Sequence, residues 1–253
     1  VPSGFTRATL SEEQWLRLLD HYGNHGQAGI ALEGLSTLLL EAVKRDPPAL
    51  TARLLAAAAE TLNNAIARFD GEVRNPILNG GDVMLWSSNS WPGRVAEFFV
   101  RAVGLHDKSG ADPCETPGFE KFMRMVVDDR GYVWARVAAA TLARALPYLL
   151  SRCGQITRDM LVPLFDWADS DMALAAWSGL AYVAWTKTTV DVLYDWLGET
   201  AERIERFEGQ ARHGLVSRLA QVAVDYEANP LADDGWLERL IATSDESVRA
   251  DFA

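Results

Sequence analysis

Apolar residues recur along this chain every three or four positions, the period of a helix that turns one face inward. In "SEEQWLRLLDHY" the stripe is Trp15, Leu16, Leu18, Leu19 and Tyr22. Ser11 precedes it and Gln14 follows three residues later, a spacing in which side chains and backbone at a helix start satisfy each other. Gly23 and Gly26 are expected to end this helix. The second pattern, "GIALEGLSTLLLEAVKR", stops at Asp46, Pro47 and Pro48. These prolines suit the first turn of a third helix, "ALTARLLAAAAETLNNAIARF". Four glycine or proline residues between Asp70 and Gly81 mark a loop. The helical period then predicts helices near residues 91–105, 117–127, 131–151, 157–168, 170–186, 188–208, 212–227 and 234–242. Alternating runs of β-branched residues are nearly absent, so the fold class is all-α.

Similar segments begin at Ser90, Asp129, Ser170, Ala211 and Ser244, at intervals of 39, 41, 41 and 33 residues. A period near 40 with two helices per unit fits a HEAT-like array of helical hairpins. An irregular helical bundle of similar helix and loop lengths would show the same spacing, and both architectures stay open. Pro147 and Pro163 are expected to kink or restart helices. We read residues 1–253 as a single helical domain, with N-terminal helices over 1–70 and repeat-like helical pairs over 82–253. The start at Val1 and the stop at Ala253, part way into a unit, suggest an excerpt of a longer protein.

Charge narrows the partners. A net charge of -11 argues against general affinity for nucleic acid, which needs a concentrated positive face. It leaves room for a local strip of Lys121, Arg124, Arg130, Arg136, Arg144, Arg152 and Arg158, so a nucleic-acid-binding helical repeat is kept as an alternative. The longest uncharged run, Met172 to Thr186, is 15 residues, too short to span a bilayer and suited to a helix buried on most sides. No membrane contact is expected. Cys114 and Cys153 form no CxxC, and a reducing cytoplasm is the expected compartment.

Candidate chemistry is sparse. His21 and His25 share a helix face, as zinc ligands would, but Gly23 lies between them and no third ligand is near; no metal site is expected. Gly23, Gly26 and Gly29 in "GNHGQAG" lack the preceding strand of a phosphate-binding loop. Cys114, in an open loop, has no base marked for it. The pairs Asp128/Asp129 and Asp169/Asp171 read as caps at helix starts. No catalytic residue and no cofactor are predicted.

Nine tryptophans are the unusual feature. Most are expected between helix layers, and Trp86, Trp91, Trp167 and Trp177 are the candidates for a surface that meets a protein partner or a second copy of the chain. Arg94, Glu97, Arg136 and Asp166 form a candidate polar network. Arg94 and Glu97 lie three apart on one face, and Arg136 and Asp166 are expected from adjacent units. The same four residues would be the site if this were a helical enzyme domain.

The segments "NSWPGRVAEFFVRAV", "GYVWARVAAA" and "LVPLFDWADSDMALAAWSGL", spanning about residues 89–180, resemble a bacterial helical domain family of unknown function. That family occurs in large antiphage defence proteins, often C-terminal to a sirtuin-like NAD-hydrolysing domain. The resemblance implies a sensor, autoinhibitory or assembly role in a defence protein. A glycine-rich nucleotide loop and the strand pattern of a doubly wound sheet are both missing here, so NAD hydrolysis does not carry over.

Overall fold

The computed structural model describes residues 10–25, 27–44, 51–71, 73 and 83–226. Among the described residues there are helices and turns and no strand, as the period predicts. Helix α1 (Glu12–His25) opens with the reciprocal cap: Ser11 N–H donates to Gln14 Oε1 at 2.8 Å, and Gln14 N–H donates to Ser11 Oγ at 3.3 Å. It runs on through Gly23, which was expected to help end it; one glycine costs a helix only about 1 kcal/mol, and α1 is braced along α3. After α2 (Ala28–Lys44), Thr51 caps α3 (Ala52–Ala67) by accepting from Leu54 N–H. The stop at Asp46 to Pro48, most of the 70–81 loop, the helix at 234–242 and the unit at Ser244 lie outside the described residues.

Prolines divide what periodicity alone would join. The stretch 131–151 is two helices, α7 (Val133–Arg144) and α8 (Leu146–Arg152), because Pro147 brings no N–H to continue the ladder. The stretch 157–168 is α9 (Gly154–Met160) followed by a 3-10 turn at Val162–Phe165 that contains Pro163. A short helix, α4 (Val83–Asn89), precedes α5 (Trp91–Lys108); at seven residues it is too brief to show a period. The others are α6 (Phe119–Asp128), α10 (Ser170–Leu180), α11 (Lys187–Glu202) and α12 (Gly209–Tyr226). Asp169 caps α10 and Thr186 caps α11. Asp128 and Asp129 close α6 rather than starting a helix.

Neighbour contacts arrange the helices in two rows. In one, α2 packs on α5, α5 on α7, α7 on α10 and α10 on α12. In the other, α3 touches α6, α6 touches α9, and α8, joined to α9, touches α11. One continuous apolar core runs from Trp15 to Ala223. Its centre is α7, in which every residue from Trp134 to Ala143 except Arg136 is buried, five of them alanines. Small side chains on all sides let α4, α5 and α10 come close together around it.

Glycines set the closest approaches. A Cβ at Gly179 of α10 would overlap the Ala140 carbonyl oxygen of α7. One at Gly93 of α5 would overlap the Ser87 carbonyl oxygen of α4, and one at Gly214 of α12 the Ala181 carbonyl oxygen. Among the described residues, no helix is long and apolar enough to cross a membrane.

Candidate functional site

Three of the four tryptophans expected to meet a partner are core residues. Trp177 is fully buried, its indole N–H donating to the Phe165 carbonyl at 3.1 Å. Trp167 is buried and donates to Thr200 Oγ1 at 2.9 Å, with the Arg203 and Arg206 guanidinium groups over its ring at 5.2 and 5.7 Å. Trp91 is buried between Phe69 and Trp134, stacked on the latter at a centroid distance of 6.0 Å. This corrects the expectation of Trp91, Trp167 and Trp177 as surface anchors. A buried indole needs a partner for its N–H, and in Trp167 and Trp177 that partner comes from residues packed against the ring. Trp86, on α4, is half-buried.

The four polar residues do not converge. Arg94 does not bond Glu97; it reaches across to α2, pairing with Glu33 and donating to Ser36 Oγ at 3.1 Å, and it also donates to the Asn89 carbonyl at 2.9 Å. Glu97 instead receives Arg101 at 2.8 Å and Lys44 at 3.5 Å. Arg136 pairs with Asp171 of α10 at 2.8 Å and not with Asp166. Asp166 accepts the Ala168 N–H at 2.9 Å, shaping the turn before α10. The expected network is therefore a set of separate ties, two of which, Arg94–Glu33 and Arg136–Asp171, join neighbours in the same row.

The sequence patterns did not single out a cleft of about 520 Å³ between the second half of α5 and the α7–α8 junction. From α5 it takes Glu97, Val100, Arg101, Gly104, Asp107 and Lys108; from the junction, Thr141, Arg144, Ala145, Tyr148 and Arg152. Four cations face two carboxylates. Both carboxylates are engaged, Glu97 by Arg101 and Asp107 by Arg152 at 3.3 Å. Arg144 and Lys108 have no carboxylate or other polar partner among the described residues. Burial, and then the Asp107 carboxylate, raises the Tyr148 phenol above its ordinary value, partly opposed by Arg152; its hydroxyl remains a donor. An available signal was the charged stripe Glu97, Arg101, Lys108 opposite the apolar face of α5, together with Arg144 and Arg152 eight residues apart.

Cys114 and Cys153 meet behind this cleft. The Cys114 thiol donates to the Arg152 carbonyl at 3.4 Å, and the fully buried Cys153 thiol is held well above the ordinary thiol range by burial first and the Cys114 thiol second. Among the described residues, no three His, Cys, Asp or Glu side chains are grouped to hold a metal ion. Comparison of the chain with protein-family models, curated proteins and solved structures found no match.

Proposed function

We propose that this chain is a non-catalytic scaffold domain, a HEAT-like array of helical hairpins that engages a protein partner or a second copy of itself. The observation that carries the reading is the chain of ties along one row of helices. Trp91 at the start of α5 stacks on Trp134 at the start of α7, while Arg94, the fourth residue of α5, ties back to Glu33 of α2 and Arg136, the fourth residue of α7, ties on to Asp171 of α10. Repeat arrays take their stability from such neighbour contacts and offer extended surfaces for binding. Partner engagement is supported at the α2 end, where Ile30 and Leu38, eight residues apart and so on roughly one helix face, are 64% and 45% exposed.

The rival readings have less support. A helical enzyme would bring Arg94, Glu97, Arg136 and Asp166 to one pocket, and each is tied elsewhere. The candidate nucleic-acid strip is interrupted, with Arg124, Arg136 and Arg152 each paired to a carboxylate. In an antiphage defence protein, the setting the resemblance implies, an array of this kind would serve sensing, autoinhibition or assembly.

Native-state hydrogen exchange tests the array. Stability that sums over neighbours predicts graded opening, with α7 and α10 most protected and α1 and α12 opening at lower free energy. One common opening free energy for every helix would instead fit an irregular bundle. Sedimentation velocity of the wild type against the double variant Ile30→Lys/Leu38→Lys tests self-association through the α2 end.

A further inference from the structure

We infer that the cleft between α5 and the α7–α8 junction is a binding site for a small phosphate monoester. The argument is independent of the scaffold reading. Glu97 and Asp107 are neutralised by Arg101 and Arg152, which leaves Arg144 and Lys108 as two cations without a counter-charge in the recess. Arg144 is half-buried, where an uncompensated charge is more costly than at an open surface. This local excess of two positive charges stands out in a chain whose net charge is -11.

A single carboxylate would answer only one of these charges. A phosphate monoester carries close to two negative charges near neutral pH and three strong acceptor oxygens. Those oxygens suit a guanidinium fork, an ammonium and a phenol, the donors that Arg144, Lys108 and Tyr148 supply. The volume, about 520 Å³, lies within the range of small-molecule sites and exceeds what one phosphate fills. Val100 and Ala145 give the remainder an apolar wall for an organic group. Gly104 lines this space without a side chain, and a Cβ there would come into contact with the Tyr148 hydroxyl at 3.4 Å.

Isothermal titration calorimetry on the full chain tests this with two esters of one shape and different charge, phenyl phosphate and phenyl sulfate. Phenyl phosphate is expected to bind at least tenfold more tightly than phenyl sulfate, and more tightly than inorganic phosphate. Arg144→Gln and Lys108→Gln should each weaken it about tenfold, and Gly104→Leu should abolish binding. Lys108 is exposed, so its variant keeps the fold even if the Arg144 variant does not. Equal affinity for the two esters, an unchanged dissociation constant in Lys108→Gln, or no heat with millimolar phenyl phosphate would overturn the assignment. Inorganic phosphate binding as tightly as phenyl phosphate would overturn the organic part of the site.

Discussion

Replacing Gly179 by alanine adds one methyl group to α10, and the structure fixes the sign of the effect. Inside a helix the exchange ordinarily stabilises by about 1 kcal/mol, because glycine has more backbone freedom to lose. Here the new Cβ would overlap the Ala140 carbonyl oxygen, with the Ala140 carbonyl carbon and Cα close behind. These are backbone atoms of a buried helix and cannot rotate aside, so α7 and α10 must separate. Overpacking of a tight core costs about 1–3 kcal/mol, and forcing backbone apart belongs at the upper end. Subtracting the propensity gain leaves Gly179→Ala destabilised by about 1–2 kcal/mol. Gly34 in α2 is the internal control: a Cβ there meets nothing within 4 Å, so Gly34→Ala should stabilise by up to about 1 kcal/mol. In a chain of this size each kcal/mol moves the melting temperature by about 2–4 °C. Urea and thermal unfolding followed by far-ultraviolet circular dichroism should therefore move the two variants in opposite directions. A Gly179→Ala variant as stable as the wild type, or more so, would refute the close α7–α10 packing.

Two further substitutions probe buried polar groups. Thr200→Val keeps the volume but leaves the Trp167 N–H unpaired, and should cost about 1–3 kcal/mol in urea unfolding; a loss below about 0.5 kcal/mol would mean that this bond contributes little. Cys153 makes stability pH-dependent. Its thiol is raised in the folded state, so its contribution is intact below the unfolded thiol value of about 8.5 and falls as pH rises beyond it, by at most about 1.4 kcal/mol per pH unit. Cys153→Ala should flatten the alkaline limb of the stability curve, and an unaltered limb would exclude Cys153 as its source.

The sequence made the helices legible because their determinants are local. The Ser11–Gln14 cap, the Asp169 cap and the breaks at Pro147 and Pro163 all act within a few residues of themselves. The ties between helices were not legible, because the information lies far along the chain. Glu97 is a good local match for Arg94, yet the guanidinium goes to Glu33, 61 residues away, once α2 and α5 are side by side. Trp167 and Trp177 looked like surface anchors because the groups that satisfy them, Thr200 Oγ1 and the Phe165 carbonyl, arrive only through packing. The cleft was hidden for the same reason. Its cations come from three helices, and what distinguishes Arg144 from Arg152 is that only the latter has a carboxylate beside it.

The alanine-sheathed helix α7 bears on how this chain can diverge. A side chain larger than alanine at Ala138, Ala139 or Ala140 would pry at several seams together, since the helix is enclosed by its neighbours. Drift is channelled instead into the flanking row and the connecting segments, where a residue can grow toward water. Distant kin of this protein would then be recognised less by any charged signature than by a tryptophan and a run of small residues held between helices whose own sequences have wandered.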